Sequence, residues 1–226
     1  MQNLAEQGYL ALFGVAIFLI GTWMIGRWKT SQLRSRISQN VANRFEATTS
    51  KVSVRLLGNT GAKFSYHQKS NSPLPKLEST ILLLDRSNIF HLAYCKIRGR
   101  TDQLQIRANL GRPASFNLEL ATQREKKNLE EVLKPKMEGA SELLIDNLSD
   151  QFYVVVSDLE AGERLFEKQE FHADFKAIAP FLTRLSISRK EPHVFASVVL
   201  VPESMAPIEN FILSLAKSIK RRKKSQ

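Results

Sequence analysis

The sequence is short of the residues that build disulfides, metal sites and nucleotide-binding loops. A single cysteine, Cys95, occurs in 226 residues, so no disulfide can form within the chain, as is typical of a reducing compartment. Four histidines are scattered along the chain with no second ligand at metal-site spacing. The glycine-containing turns lack the Lys-Ser or Lys-Thr pair of a phosphate-binding loop. No fixed-period repeat is present.

Two weak arrangements of chemical groups remain. His91 and Cys95 are four residues apart on a predicted helix, where a structural role is favoured because free cysteines are usually buried. Asp146 and Asp150 bracket a predicted loop as a carboxylate pair of a kind that is common on protein surfaces. The sequence therefore predicts a protein that is not an enzyme, with no metal and no cofactor.

Positive charge is confined to two flanks of the chain. Residues 27–44 carry five bases and residues 217–226 carry six, with no acid in either stretch, and together they account for the formal net charge of +11. Residues 45–216 carry 22 bases and 21 acids and are nearly neutral. A domain that grips a nucleic-acid duplex across its folded face is usually basic itself, so the pattern disfavours that class.

Residues 7–26 (QGYLALFGVAIFLIGTWMIG) contain no charged side chain. Twenty residues of helix rise about 30 Å, the thickness of the hydrocarbon core of a bilayer. Tyr9 lies near one end of the run, and Trp23 and Trp28 lie near the other, where aromatic rings prefer the headgroup level. A cleaved signal peptide is disfavoured because an acid precedes the run and no small-residue cleavage site follows. We predict a transmembrane helix over residues 9–27.

Bases lie on one side of this span only. No Lys or Arg precedes it, whereas Arg27, Lys29, Arg34 and Arg36 follow it. The excess of Lys and Arg on cytosolic flanks predicts that the following chain is cytosolic and that residues 1–8 form a short stub outside. The four bases are then expected to contact lipid headgroups, at about 1 kcal/mol each near an anionic surface.

The rest of the chain predicts a cytosolic, mixed, largely antiparallel α+β domain over residues 48–204. Before it, residues 28–47 lack Gly and Pro and continue the helix, with an apolar stripe suited to docking on a neighbour. Alternating segments around residues 58–61 and around residues 111–113 predict two hairpins. The apolar stripe of residues 28–47 consists of Leu33, Ile37, Val41 and Phe45.

Further elements follow from hydrophobic periodicity and capping signals. Before residue 136, the pattern predicts a buried strand over residues 79–86, a helix over 87–97 capped by Ser87 or Asn88, and a charged segment over 122–135 whose helix stops before Pro135. After residue 136, the pattern predicts a strand over residues 152–158, a helix over 159–169, a helix over 171–185 that is interrupted at Pro180, and strands over 184–189 and 193–202.

Residues 205–226 predict an amphipathic helix with a basic tail. The helix has one apolar face that can dock on a partner or on its own domain: Ile208, Phe211, Ile212, Leu215 and Ile219. The tail bases are Lys217, Lys220, Arg221, Arg222, Lys223 and Lys224. Three interpretations stay open for them: a solvated fringe, contact with anionic lipid, or contact with the phosphates of a ribosome on the membrane.

This order of features resembles the calumin family, the coiled-coil subunit of the PAT complex, an intramembrane chaperone assembly at the Sec translocon. The similar segments are SQNVANRFEATTSKV after the span, ILLLDRSNIFHLAYCKIRGRTDQLQIRANL in the middle, and FLTRLSISRK and VFASVVLVPESMAPIENFILSLAKSIKRRKK towards the end. The resemblance implies a non-enzymatic factor that assists insertion and folding of multi-spanning membrane proteins. It further implies that the tail bases contact rRNA phosphates near the tunnel exit.

The chain departs from that family in two respects. The family's long acidic lumenal segment is replaced by a short stub, and its long C-terminal coiled coil is reduced to about one helix. Such a shortened version is expected in an organism without an endoplasmic reticulum, for example an archaeon. The expected location is therefore the endoplasmic reticulum membrane or an archaeal cell membrane.

The expected partners are the Sec translocon, the ribosome, a small hydrophobic membrane subunit and anionic lipid. A membrane-tethered scaffold that binds anionic headgroups without a ribosome is the main alternative. A membrane-tethered enzyme is a third, and it predicts a deep pocket lined by His, Asp or Cys side chains.

Overall fold

The computed structural model describes residues 2–44, 49–68, 72–133, 137, 139–145 and 148–220. One continuous helix, α1 (Gln2–Arg44), runs from the apolar segment into the basic segment that follows it. No glycine or proline interrupts residues 27–44, so this stretch contains no residue that favours a break in the helix. The predicted segments 9–27 and 28–47 thus form one rod as far as Arg44, and the end of the second segment lies outside the described residues.

Nine strands in the described residues form one sheet in which every neighbouring pair is antiparallel. The strands are β1 (Thr49–Leu57), β2 (Gly61–Gln68), β3 (Lys76–Leu82), β4 (Gln103–Asn109), β5 (Leu118–Thr122), β6 (Ser141–Glu142), β7 (Phe152–Val156), β8 (Leu182–Ile187) and β9 (Val194–Val199). Their order across the sheet is β1-β2-β3-β4-β9-β8-β5-β7-β6. The predicted antiparallel α+β class is confirmed.

The first predicted hairpin is present. Leu57 of β1 pairs with Gly61 of β2, which leaves a three-residue loop between them. Gly58 begins this loop with a φ of 61°, a left-handed conformation that glycine adopts without steric cost.

The second predicted hairpin, around residues 111–113, was wrong. Strand β4 pairs with β3 and β9, whereas β5 pairs with β7 and β8, so the β8–β9 hairpin separates β4 from β5. Three strand spacings are about 14 Å. The eight-residue connection over residues 110–117 is long enough to cross them, since an extended chain covers about 3.3 Å per residue. A turn signal in the sequence does not say which strands it joins.

Five further helices are described: α2 (Ile89–Ile97), α3 (Lys126–Asn128), α4 (Leu159–Phe166), α5 (Gln169–Ile178) and α6 (Met205–Lys220). The side chain of Asn88 caps α2 by accepting from the His91 N–H at 3.0 Å, which confirms one of the two predicted caps. Helix α5 ends at Ile178 and β8 begins at Leu182, so the predicted helix over residues 181–185 is a strand instead.

The predicted charged helix over residues 122–135 is irregular. A 3-10 turn (Gln123–Glu125), the single turn α3 and a π turn (Leu129–Leu133) replace it, and residues 134–135 lie outside the described residues. Its ion pairs, such as Lys126–Glu130 at 3.9 Å, are exposed and contribute little. Among the described side chains of this segment, Leu129 is the one buried against the sheet, and those of Val132 and Leu133 lie outside what the structure describes.

One face of the sheet carries the main core. It is covered by α4, α5, α6 and the second half of α1. At its centre the rings of Phe171, Phe175 and Phe211 are fully buried, with centroids 5.8 to 6.1 Å apart. Burial of each such ring contributes about 1.5–3 kcal/mol.

Both predicted apolar stripes dock on this core as far as they are described, and Phe45 of the α1 stripe lies outside the described residues. In α6, the predicted face packs on its own domain rather than on a partner. In α1, Leu33 and Ile37 are half-buried and Val41 is buried. The Tyr66 hydroxyl of β2 donates to the Val41 carbonyl at 3.1 Å and shares a hydrogen bond with Ser79 at 2.9 Å. Burial raises the pKa of the Tyr66 phenol, which keeps this donor neutral.

Candidate membrane-facing site and basic tail

Helix α1 is long and apolar enough to cross a membrane, and among the described helices it alone has this character. Its most apolar stretch of 18 residues has a mean hydropathy of 2.0, and the rest of the protein buries none of it. Leu12, Phe18 and Ile25 are each more than half exposed. An apolar surface of this size is normally shielded from water, and the hydrocarbon core of a bilayer matches its length and chemistry. The chain therefore has the architecture of a single-pass membrane protein.

The two ends of the sheet differ in their relation to α1. One end consists of residues 58–60, residues 83–88, α2 and residues 99–102. We call it the membrane-proximal end, because the apolar run of α1 meets the domain there. The membrane-distal end consists of residues 110–117, 157–158 and 188–193. Pairing of Gln103 with Val199 at one end and of Ala108 with Val194 towards the other shows that the strands run between the two.

The contact between α1 and the domain depends on Gly26. A Cβ atom at this position would lie 1.9 Å from the carbonyl oxygen of Arg86 and 2.8 Å from the Cα of Ser87. One turn later, Thr30 is fully buried, and its hydroxyl donates to the Gly26 carbonyl at 2.8 Å. Glycine permits this close approach of two backbones because it has no side chain. The apolar run therefore ends directly against the domain.

The segment that receives α1 is braced by charged hydrogen bonds. Arg86 donates to Asp102 at 2.6 Å, and the second carboxylate oxygen of Asp102 accepts the Leu84 N–H at 2.7 Å. The Ser87 hydroxyl donates to Asp85 at 2.6 Å, and this bond holds the pKa of Asp85 below its ordinary value. The domain is thus held firmly where it meets the spanning helix.

The juxtamembrane bases differ in their contacts. The Arg27 guanidinium lies 5.4 Å from the ring centroid of Trp23, a cation–π distance. Lys29 and Arg36 are exposed. Arg34 is half-buried and donates to a carbonyl in the β1–β2 turn at 2.6 Å, so it also ties α1 to the sheet.

The C-terminal helix α6 ends at the opposite end of the domain from Gly26. Leu200, just before α6, donates to the Asp102 carbonyl at the membrane-proximal end. Helix α6 then runs for sixteen residues from Met205 to Lys220, a rise of about 24 Å. Near that point Lys168 donates to the Ser218 carbonyl. Lys217, near the described end of α6, therefore lies at the other end of the domain from Arg27 and Lys29.

Among the predicted tail bases, Lys217 is described and exposed. The Lys220 side chain lies outside what the structure describes. So do Arg221, Arg222, Lys223 and Lys224.

A cavity of about 330 Å³ lies beside the end of α6. Arg112, Arg164 and Lys168 line it, against a single acid, Asp158. The lining of this cavity is therefore basic, with Arg164 also paired with Glu160 at 3.0 Å.

Among the described candidates, His91 lies beside Cys95 in α2, whereas His193 and Asp150 belong to other parts of the fold. Cys95 is buried, with its Sγ 3.6 Å from the Nε2 of His91. The buried His193 accepts a backbone N–H at 3.0 Å through its Nδ1. Within the described ranges, no group of three or more His, Cys, Asp and Glu side chains could hold a metal ion. Asp150 is described, but its predicted partner Asp146 lies outside the described residues.

The predictions from sequence missed the exposed apolar face of α2. Phe90, Tyr94 and Ile97 are 75%, 49% and 85% exposed. A signal was present, because seven of the nine residues of α2 are apolar. A helix of this length cannot bury so many side chains on one face.

Comparisons with known proteins are sparse. No protein-family model matches this chain, and no curated protein sequence matches it. Among solved structures, the chain is similar to the crystal structure of the mycobacterial trehalose monomycolate transport factor A, TtfA, at 10% identity and a TM-score of 0.36. That similarity covers 74% of this chain and 72% of the other. A likeness this distant carries no argument about fold or function.

Proposed function

We propose that this chain is a non-enzymatic, membrane-anchored factor that associates with the Sec translocon and the ribosome and assists the insertion and folding of multi-spanning membrane proteins. In this proposal α1 spans the membrane with its N-terminus outside, and the domain lies in the cytosol. The membrane is that of the endoplasmic reticulum or of an archaeal cell. The bases that follow α1 support this orientation through the positive-inside bias.

The observation that carries the proposal is the placement of charge at opposite ends of a nearly neutral domain. Residues 45–216 contribute almost no net charge. Helix α1 meets the membrane-proximal end at Gly26, whereas α6 ends beside the basic cavity at the membrane-distal end. In this arrangement Lys217, the described base near the end of α6, lies far from the headgroups. A large anionic partner in the aqueous phase suits the tail bases, and a ribosome docked on the membrane presents such a phosphate surface.

A scaffold that binds anionic lipid without a ribosome is the second candidate. The exposed Lys29 and Arg36 on α1, close to the apolar run, favour it. These bases lie on the membrane side of the domain, so the two candidates depend on different basic groups. Separate neutralisation of the groups can therefore distinguish them.

Co-sedimentation with ribosomes tests the proposal. The full-length protein in nanodiscs is expected to sediment with purified ribosomes at low salt. Six phosphate contacts predict that the affinity falls about a thousandfold between 50 and 200 mM salt. Replacing Arg221, Arg222 and Lys223 by Gln is expected to weaken binding and to make its salt dependence shallower.

A charge-matched control separates the tail from net charge. Replacing the exposed bases Lys51, Arg55 and Lys127 by Gln removes the same charge from the sheet and from α3. This control is expected to bind ribosomes nearly as the natural chain does. Equal loss in both variants, or sedimentation that is independent of salt, would contradict the proposal. Binding to anionic vesicles without ribosome binding would favour the lipid scaffold.

A further inference from the structure

We infer that α2 is a second membrane contact. In this inference it lies in the interface of the bilayer that α1 crosses, with Phe90, Tyr94 and Ile97 inserted between the lipids. The inference depends on α1 spanning a membrane and does not depend on the translocon or the ribosome.

The apolar residues of α2 form a stripe on its outer side. Phe90, Tyr94 and Ile97 follow one another at spacings of four and three residues, which places them on one helical face. Ile97 is 85% exposed at the end of the helix, and Ile89 at its start is 44% exposed. On the opposite side, Cys95 is buried against the domain. The helix is therefore held by one face and presents large apolar side chains on the other.

The position of α2 selects the membrane as the occupant of this face. It begins directly after residues 84–88, whose backbone touches α1 at Gly26, and it contacts α1. Gly26 ends the uncharged run, and Trp23 and Trp28 on either side of it are 46% and 59% exposed. Exposed indoles at the end of an apolar run mark the headgroup level. The stripe of α2 thus continues the lipid-facing surface of α1 instead of forming a separate patch in water.

The charges around the stripe complement anionic headgroups. Between Arg86 and Thr101 the chain has no acid, while Lys96, Arg98 and Arg100 are exposed. The Arg98 guanidinium lies 5.5 Å from the ring centroid of Tyr94, so a base and an aromatic ring stand side by side at the edge of the stripe. Aromatic and aliphatic residues on one face, with bases beside them, are the composition of helices that lie in the membrane interface.

Such a contact has a consequence for the whole chain. A single spanning helix leaves the helix and its attached domain free to tilt relative to the membrane surface, whereas a second contact fixes the side of the domain that faces the lipid. Arg86 and Asp102 brace the segment between the two contacts, so α1 and α2 act as one rigid base.

Spin-label accessibility in a defined bilayer tests this inference. The full-length chain, with Cys95→Ala to leave one label site, is reconstituted into nanodiscs of phosphatidylcholine with a minority of phosphatidylglycerol. A nitroxide is placed in turn through Phe90→Cys, Tyr94→Cys and Ile97→Cys. Oxygen concentrates in hydrocarbon and a nickel chelate stays in water. The ratio of oxygen to nickel collisions is expected to be several-fold higher at these three sites than at a Lys190→Cys label on the membrane-distal turn.

A label at Lys96→Cys, on the same helix but off the stripe, controls for burial caused by the label itself. It is expected to collide with nickel more often than labels at positions 90 and 97. Similar nickel collision rates at positions 90, 97 and 190 would overturn the inference, because no other protein is present to cover the stripe.

A second measurement uses the natural chain and does not depend on labelling. A diazirine phospholipid in the nanodisc is expected to cross-link to residues 87–98 as well as to α1. Phe90→Asn combined with Ile97→Asn should lower the yield at residues 87–98 several-fold while cross-linking of α1 persists. Cross-links confined to α1 in the natural chain would also overturn the inference. Neither experiment measures ribosome binding, so failure of this inference can be distinguished from failure of the proposed function.

Discussion

Single residues decide how the spanning helix is joined to the domain. At Gly26 the backbone of α1 approaches the carbonyl of Arg86 so closely that a side chain cannot fit. Thr30, buried one turn later, satisfies its hydroxyl within the helix by donating to Gly26. Neither residue stands out in the sequence, where Gly26 ends the apolar run and Thr30 is one polar residue among several. Their importance depends on Arg86, which is 60 positions away along the chain.

We expect Gly26→Val to lower the free energy of unfolding of the full-length protein by about 1–3 kcal/mol, because overpacking at a rigid contact typically costs this much. The added Cβ has backbone atoms in its way, which cannot rotate aside. Thermal unfolding of the detergent-solubilised protein, followed by circular dichroism, measures the effect. Gly21→Val is the matched control, since nothing lies within 4 Å of a Cβ at that position of the same helix. Equal melting temperatures of the two variants would refute the tight contact.

At the scale of elements, local pattern was reliable where a helix or strand also has an apolar face to bury. Helix α6 shows this: its predicted face is the face that packs on the core. The charged segment over residues 122–135 differs: among its described side chains Leu129 is the one buried against the sheet, and short 3-10, α and π turns replace a regular helix. Propensity and surface ion pairs are weak terms, and burial against the sheet outweighs them.

The docking of α6 is expected to depend on Phe211. This ring is fully buried against Phe171 and Phe175, so Phe211→Ala should cost about 3–5 kcal/mol through the lost contacts and the cavity left behind. Guanidinium unfolding followed by circular dichroism is the measurement. Asn210→Ala, at the exposed neighbouring position, is expected to change stability by less than about 0.5 kcal/mol. A common unfolding midpoint for both variants would show that α6 is not part of the core.

At the scale of the whole molecule, the two longest helices are oriented in the same sense relative to the sheet. Helices α1 and α6 both run from the membrane-proximal end towards the membrane-distal end, so the chain enters the domain beside the bilayer and its last described turn lies far from it. The near-neutral domain separates the two basic flanks. Lys217 near the end of α6 and the bases of the juxtamembrane helix therefore meet different environments.

Fluorescence resonance energy transfer from a dye on α6 to labelled lipids measures how far each end of α6 lies from the bilayer. In a Cys95→Ala background, a donor dye is attached through Ala206→Cys at the start of α6 or through Lys217→Cys near its end, both exposed positions. Eleven residues of helix separate them by about 16 Å. With acceptor-labelled lipids, transfer from position 217 is expected to be clearly weaker than from position 206. Equal transfer from both sites, or stronger transfer from 217, would mean that α6 lies along the membrane surface.

Much of the fold and part of the candidate site followed from the sequence alone. Hydropathy and length identified the spanning helix, charge counting located the basic flanks, and alternation with capping residues such as Asn88 predicted most strands and helices. These features depend on neighbours within one or two turns of chain, so local physical chemistry is sufficient to determine them.

The tertiary structure decided the order of strands, with β8 and β9 between β4 and β5, and the close approach of Gly26 to Arg86. It also decided the outward face of α2 and the end of the domain from which the basic tail departs. Each depends on contacts between residues far apart in the chain, such as the pairing of Arg107 with Phe195. A local pattern says that a side chain needs burial or water, and only the packed chain determines which surface or which solvent it meets.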